Sequence, residues 1–209
     1  MSDPNRKEWR ALWWRIKAQG DPEPPYEQLV GLYSQPHRCY HTLAHIEHCL
    51  KEFDAVWHFA RSPNAVEMAL WYHDAIYVAK AKDNEEKSAE LAARVLRSAL
   101  VPDTFVQEVV RLILKTKHDA PPADFDAQLV VDIDLSSLGL PEDVFEKHGE
   151  EIRREYWWVP DALFAEVRSQ IFKSFFSRPT IYLTNFFQEK YEKQARRNLI
   201  RVLTKPREQ

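Results

Sequence analysis

The sequence predicts an all-α protein, and three observations predict this fold class. No segment shows the period-two alternation of apolar and polar residues that is typical of half-buried strands. Apolar residues recur instead at helical spacing, as Trp9, Trp13 and Ile16 do near the N-terminus. The chain of 209 residues contains 13 prolines and only 4 glycines, which favours long helices joined by proline-marked turns.

Each predicted helix is justified by its periodicity and by the residues that bound it. "QGDPEPP" ends the first helix, Ser62 followed by Pro63 begins the apolar segment "SPNAVEMALWYHDAIY", and Pro121–Pro122 stop a later helix. The predicted helices run from about residue 5 to 17, 26 to 34, 36 to 59, 62 to 77, 82 to 100, 102 to 118, 141 to 158, 161 to 176 and 184 to 203. A further segment, around residues 126 to 137, lies between the sixth and seventh of these.

The size, charge and cysteine content of the chain exclude several classes of protein. At 24.7 kDa it is long enough for one sizeable core. Its 29 basic and 32 acidic residues give a net charge of −3, which implies no general affinity for nucleic acid or anionic membranes. Cys39 and Cys49 are too few for a disulfide framework. The N-terminus does not read as a secretory signal, and no apolar run reaches the length of a membrane span, so a soluble cytoplasmic protein is expected.

An adjacent histidine and aspartate, His73 and Asp74, lie near the end of a segment that is apolar on almost every face. Such a segment predicts a helix that is buried all round. A buried histidine by itself is commonly just hydrogen-bonded. An unpaired buried carboxylate, however, costs on the order of several kcal/mol, so a cation should compensate Asp74. Because this helix carries no lysine or arginine, a metal ion is the natural candidate.

Further ligands for such an ion occur in two other segments. "CYHTLAHIEHCL" carries His41, His45 and His48 at spacings that place them along one side of a helix. The alternatives for this cluster are a pH-sensitive patch, or one inward histidine beside two solvated ones. Asp134, in "VVDIDLSSLG", shares an inward face with apolar neighbours. Imidazole and carboxylate together suit Mn²⁺, Fe²⁺, Co²⁺, Ni²⁺ or Zn²⁺, and Mg²⁺ is kept as a further candidate.

Three acidic residues follow the predicted metal helix. Asp83 and Glu86 fit a helix-capping arrangement, whereas Glu85 lies on the apolar face of the next helix. An inward acid at this place could orient water or act as a general base. Glu85 is therefore a candidate catalytic residue.

A second His-Asp pair follows Lys117 at the end of another helix. We expect His118 to continue the inward row of Val110 and Leu114, and Asp119 to lie on the polar side and be dispensable. His118 is then a candidate for proton transfer or phosphate contact, and Lys117 for phosphate contact. The alternative is that His118 only caps the end of its helix.

The order of these motifs resembles the HD superfamily of metal-dependent phosphohydrolases. The likeness lies in a histidine, an adjacent His-Asp pair and a distant aspartate, all on predicted helices, and it runs from about residue 26 to the C-terminus. It extends to a branch of predicted metal-dependent HD phosphohydrolases through "YHTLAHIEHCL", "WYHDAIY", "DNEEKSA", "TKH", "DIDLSSLG" and "YEKQARRNL".

The resemblance implies a role for each matching residue. It implies that the metal ligands are His45, His73, Asp74 and Asp134. His41 then supports the ligands or faces the substrate, while His48 has no counterpart and is taken as a bystander. Together with the residue-level reasoning, the predicted substrate-binding residues are His41, Asn84, Lys117 and Arg196. The predicted catalytic residues are Glu85, His118 and Asp74.

The resemblance also implies a single-domain helical bundle of the HD type, with a buried metal centre, over residues 1–209. Residues 1–24 are expected to form an N-terminal helix and proline-rich turn, about 26–140 the metal-site core, and 141–209 the C-terminal helices that pack on it. The implied activity is hydrolysis of a phosphate ester or anhydride, of a nucleotide or related small molecule, by metal-activated water.

Two other functions stay open from the sequence. One is a non-catalytic helical sensor or scaffold that binds a metal or nucleotide. The other is a helical nucleic-acid-binding protein, against which the acidic net charge weighs. The oligomeric state is also open, with a homodimer as one option.

Overall fold

A computed structural model describes residues 4–204, and these residues form helices without any β-strand. The predicted all-α fold class is therefore confirmed. The helices are α1 (Pro4–Arg15), α2 (Glu23–Tyr33), α3 (Leu43–Val56), α4 (Pro63–Tyr72), α5 (Asn84–Ser98), α6 (Asp103–Ile113), α7 (Phe125–Asp134), α8 (Glu142–Glu155), α9 (Asp161–Phe176), α10 (Asn185–Phe187) and α11 (Lys193–Thr204). None of the helices in this part of the chain is long and apolar enough to cross a membrane.

The chain divides into two compact units, Met1–Val131 and Asp132–Gln209, which are described separately below. The prediction of one HD-type domain stays a prediction. Residues 1–3 and 205–209, which that prediction includes, lie outside the described residues.

The central helix of the first unit is α4, as the apolar segment predicts. Every residue from Ala65 to Tyr72 is buried except Glu67. The helix packs against α1, α3, α5 and α6. An aromatic cluster covers one side of it, with the rings of Trp9 and Trp71 in edge contact at 5.6 Å. Burial of such large side chains is a major source of stability in this unit.

A polar side chain fixes the start of α4, and its end places the first predicted site residues. At its start, the buried Asp126 carboxylate accepts hydrogen bonds from the backbone N–H groups of Arg61 and Ser62, each 2.8 Å long. These bonds satisfy donors that a helix leaves unpaired at its N-terminus. At its end, the helix stops at Tyr72, so His73 and Asp74 lie in the turn that follows.

The second unit holds α8 to α11, and a buried carboxylate organises its interior. Asp132 accepts hydrogen bonds from the backbone N–H groups of Leu183 and Thr184 and from the Thr184 hydroxyl, at 2.7–2.8 Å. Burial raises the pKa of Asp132 to about 6. Asn198 donates to the carbonyls of Leu138 and Leu140, at 2.8 and 2.9 Å. These side chains form hydrogen bonds with backbone N–H and C=O groups that have no partner in a regular helix.

Three helix boundaries near the predicted site differ from the sequence prediction. The first is the end of α4 at Tyr72, where the sequence predicts a helix to about residue 77. Helix α3 begins at Leu43, so His41 precedes it and does not share its face with His45. Helix α6 ends at Ile113 and passes into a 3₁₀ turn, and His118 beyond it adopts a left-handed conformation with φ of 56°. The predicted inward row through Leu114 to His118 is therefore wrong, because the 3.6-residue period ends before His118.

Candidate metal centre

Two imidazoles from separate helices meet inside the first unit. His45 lies in the first turn of α3 and His73 caps the end of α4, and their Nε2 atoms are 3.1 Å apart. Both side chains are buried. The Nδ1 atom of His73 donates to the Leu70 carbonyl at 2.9 Å, because a carbonyl can only accept. A neutral His73 therefore presents the lone pair of Nε2 to His45, the arrangement in which histidines bind metals.

Asp74 adds a carboxylate to this pair. Its Oδ2 atom lies 3.2 Å from Nε2 of His73 and 3.6 Å from Nε2 of His45. Burial raises the pKa of the Asp74 carboxyl, but the nearby His73, His41 and His45 outweigh that effect and hold the pKa well below its usual range. The structure thus brings together three of the four predicted metal ligands.

Cys49 also belongs to this cluster, although the sequence reasoning did not include it. Its Sγ atom is 3.7 Å from Nε2 of His45, and the ligand atoms of His45, Cys49 and His73 all lie within 4.8 Å of one another. The side chain is completely buried. The signal in the sequence was the spacing of four residues between His45 and Cys49, which places both on one face of α3.

The distances within the cluster fit a transition-metal ion. With Zn–N bonds of about 2.0–2.1 Å and Zn–S bonds of about 2.3 Å, the edges of a tetrahedral site measure roughly 3.3 Å between two nitrogens and roughly 3.6 Å between nitrogen and sulfur. The observed separations are 3.1 Å between the two histidines and 3.7 Å between His45 and Cys49. These side chains could hold a metal ion without rearrangement of the backbone.

Asp134, the fourth predicted ligand, is the last residue of α7 and is half-buried in the second unit. Its role as a ligand stays a prediction. Asp132 is the more deeply buried of the two aspartates, and its carboxylate is occupied by Leu183 and Thr184.

Arg38 fixes the backbone around the cluster, although no sequence motif indicated it. The buried Arg38 donates to the carbonyls of Asp74, Ala75 and His41, at 2.6, 2.8 and 3.1 Å. Its guanidinium also lies over the ring of Tyr77, 5.7 Å from the centroid. Arg38 therefore ties the segment before α3 to the turn after α4. Sequence reasoning missed it because bonds to backbone carbonyls leave no residue pattern.

His41 lies beside the cluster and not within it. Its ring stacks on Tyr77 with centroids 4.0 Å apart, while the centroids of His41 and His45 are 6.2 Å apart. The predicted supporting or substrate-facing role of His41 stays a prediction.

Glu85 lies in the first turn of α5 and is half-buried, and its predicted catalytic role stays a prediction. Burial raises the pKa of the Glu85 carboxyl, and the negative charge of Asp74 raises it further. A carboxyl with a raised pKa is suited to exchange a proton near neutral pH. Ser88 and Ala89, on the same face of α5, are buried.

The neighbours of Glu85 have structural partners. The Asn84 amide forms a reciprocal pair with the backbone of Val78, at 3.0 and 3.1 Å, and so fixes the loop before α5. The capping prediction for Asp83 and Glu86 is wrong: Asp83 makes no side-chain cap bond and instead accepts from Lys87 at 2.9 Å. Asn84 and Asp83 therefore stabilise the start of α5 through bonds across the loop and between helix turns.

Lys117 is paired with Glu86, whose pKa its hydrogen bond holds below the usual range. His118 next to it is half-buried, while Asp119 is exposed. The predicted phosphate contact of Lys117 and proton transfer by His118 stay predictions.

Arg196, the last predicted substrate-binding residue, has a dense set of partners in the second unit. It donates to Glu192 at 2.7 Å and to the carbonyls of Phe176, Arg178 and Pro179 at 2.9–3.2 Å. These bonds hold the turn that follows α9. Substrate binding by Arg196 stays a prediction, and the contacts of its guanidinium are those of a structural residue.

No protein-family model, no curated protein and no solved structure matches this chain.

Proposed function

We propose that this protein is a metal-dependent phosphohydrolase that cleaves a phosphate ester or anhydride of a small molecule such as a nucleotide. The observation that carries the proposal is the convergence of His45, His73 and Asp74, with two imidazole nitrogens 3.1 Å apart and a carboxylate oxygen 3.2 Å from one of them. The order of these residues and of Asp134 in the sequence, which resembles the HD superfamily, supports the same reaction class.

The proposed ligands are His45, His73, Asp74 and Asp134. A divalent ion bound there supplies Lewis-acid polarisation of a phosphoryl oxygen and lowers the pKa of a bound water. The hydrogen bond from Nδ1 of His73 to the Leu70 carbonyl orients the His73 ring for this role. The hydrogen bond from Arg38 to the backbone carbonyl of Asp74 fixes the backbone that carries the carboxylate. A pre-oriented set of donors of this kind stabilises developing charge without reorganisation.

The proton in this reaction is assigned to Glu85, with His118 as a second candidate. The half-buried position of Glu85 and its raised pKa support the assignment, because a carboxyl of this kind can accept a proton from water and return it to a leaving oxygen.

A phosphate-release screen tests the proposal. Purified protein is incubated with nucleotides and phosphomonoesters in the presence of Mn²⁺, Mg²⁺, Co²⁺, Ni²⁺, Zn²⁺ or Fe²⁺, with Asp74→Asn as the inactive control. Turnover that needs a metal and disappears in Asp74→Asn supports the proposal. Turnover that is equal in the variant contradicts it.

A non-catalytic metal-binding protein is the second candidate, and Cys49 favours it. Cysteine thiolates are the typical ligands of closed, structural zinc sites, and Cys49 lies within this cluster. Metal-loaded protein that releases no phosphate from any substrate in the screen, and that loses thermal stability when the metal is removed, would favour this second function.

A further inference from the structure

The second unit contains a groove that has no part in the proposed reaction. It has a volume of about 890 Å³ and lies between α8, α9 and the end of α11. Its walls combine aromatic rings with both signs of charge. The residues that matter for the inference are Phe145, Gly149, Arg153, Phe164, Arg168 and Arg201.

Arg168 occupies the inner wall of this groove. Its guanidinium lies over the rings of Phe145 and Phe172, at 6.0 and 5.0 Å from their centroids. It also lies directly against Gly149: a Cβ atom built on that glycine would be 2.5 Å from one terminal nitrogen of Arg168. A side chain at position 149 would therefore displace the guanidinium. Because Gly149 has no side chain, Arg168 can pack directly against the backbone of α8.

Arg168 differs from the other arginines of the groove in having no counter-charge. Arg153 donates to Asp161, and Arg201 pairs with Glu142 and Glu146. Across the part of the chain that the structure describes, the guanidinium of Arg168 makes ring contacts and no ion pair or hydrogen bond.

Arg168 is also partly withdrawn from water. It is half-buried, and burial alone lowers its pKa. A cation that loses hydration without gaining an anion is unfavourable, and its five donors are left for a ligand. A concave site with a few convergent polar groups and apolar walls is the usual form of a small-molecule pocket.

We propose that this groove binds a small organic anion, with a carboxylate or phosphate group on the Arg168 guanidinium and an apolar body against Phe164. The planar fork of an arginine matches both oxyanions in two parallel hydrogen bonds. The rings of Phe145 and Phe172 orient the guanidinium plane of Arg168 in the absence of a ligand. This site is separate from the proposed metal centre in its residues and its chemistry, and it does not depend on the proposed function.

Isothermal titration calorimetry on the full chain tests the proposal. The protein is used as purified, and the Arg168→Gln variant distinguishes binding in the groove from binding at a metal ion. The probes are phenyl phosphate, benzoate and inorganic phosphate, with phenol as the uncharged control. We expect saturable binding of phenyl phosphate or benzoate, and the tighter of the two identifies the anionic group. Binding of phenol as tight as that of both anions, or no saturable binding of either anion, overturns the proposal.

Variants locate the site. Arg168→Gln should weaken anion binding roughly tenfold or more, because it removes a charge-assisted pair of hydrogen bonds. Arg178→Gln removes an arginine that lies over the ring of Phe175 outside the groove; it is the matched control and should change the affinity less than about twofold. Gly149→Ala keeps every charge but crowds the guanidinium, and it should also weaken binding.

Arg168→Lys keeps the positive charge and replaces Arg168→Gln if that variant fails to fold. It too should bind the anion more weakly than the wild type. Wild-type affinity in Arg168→Gln, or in Arg168→Lys where that variant replaces it, overturns the proposal.

Discussion

The Nε2 atoms of His45 and His73 lie 3.1 Å apart, although 28 residues separate the two histidines in the chain. Nδ1 of His73 is occupied by the Leu70 carbonyl, so a neutral His73 can only accept at Nε2. Two ring nitrogens this close need a proton or a cation between them, since their lone pairs repel each other. The Asp74 carboxylate beside both of them favours a cation.

The first prediction is that the purified protein binds about one equivalent of a divalent transition metal. His73→Ala and Asp74→Ala should each lose it, because each removes a donor at the centre of the cluster. Loss of metal ligands or their supports typically costs about 10–100-fold in affinity or more. Elemental analysis after dialysis measures the metal content. His48→Ala is the control and should retain the ion. Wild-type protein that binds no ion even after added Mn²⁺ or Zn²⁺ would show that this cluster is not a metal centre.

The second prediction concerns Cys49. If its thiolate is a ligand, Co²⁺-loaded protein should show a thiolate-to-cobalt charge-transfer band in the near ultraviolet. Cys49→Ser should lose the band while still binding Co²⁺ through the histidines. Cys39→Ser, at the half-buried cysteine outside the cluster, is the control and should keep it. Co²⁺ binding with no such band in the wild type would make Cys49 a packing residue, and it would leave the rest of the metal centre untouched.

The third prediction separates the two acids at the start of α5. Glu85→Gln should lower the turnover rate by about 10²–10⁴, the usual contribution of a general acid or base, with unchanged metal content. Glu86→Gln should leave turnover near normal, because Glu86 is engaged by Lys117. Steady-state phosphate release gives both rates. Equal activity in the two variants would remove Glu85 from the mechanism.

The fourth prediction distinguishes the two members of the second His-Asp pair. His118 has φ of 56°, where glycine is favoured, so His118→Gly removes the imidazole and fits the backbone. If His118 transfers a proton, this variant should lose turnover by about 10²–10⁴ without losing stability. Asp119→Ala, at the exposed neighbour, should behave as wild type. Normal turnover in His118→Gly would assign the residue to the turn alone.

The fifth prediction is a pH dependence of stability that originates at Glu67 on α4. Burial raises the pKa of Glu67 to about 7, although the guanidinium of Arg15 lowers it, and Asp54 and Glu8 raise it further. A carboxyl whose pKa is higher in the folded state stabilises the fold fully below its unfolded pKa, and this contribution is lost as the pH rises through about 7. The free energy of unfolding should therefore fall between about pH 5 and 8, by on the order of 1–3 kcal/mol.

Denaturant unfolding at a series of pH values measures this effect. Glu67→Gln cannot ionise and should show a flatter profile over the same range. Glu90→Gln, on the exposed side of α5, is the control and should follow the wild type. A wild-type profile as flat as that of Glu67→Gln would show that Glu67 keeps an ordinary pKa in the folded protein.

Features that depend on neighbouring positions along the chain could be predicted from the sequence. The spacing of apolar residues fixed the all-α class, and it identified α4 as a buried helix with His73 and Asp74 at its end. The same periodicity predicted the buried face of α5, which carries Ser88, Ala89 and Ala92. These predictions succeed because the geometry of a helix relates residues three or four positions apart, whatever lies around them.

Features that depend on residues far apart in the chain were decided only by the tertiary structure. His45 and His73 lie 28 residues apart, and the 3.1 Å approach of their Nε2 atoms depends on how α3 packs against the end of α4. Arg38 and Arg196 both donate hydrogen bonds to backbone carbonyls, but in different turns. Which turn each arginine contacts depends on which distant segment packs against it. A side chain's chemistry limits what it can bind, whereas its partner is chosen by the packing of distant segments, and no local pattern encodes that packing.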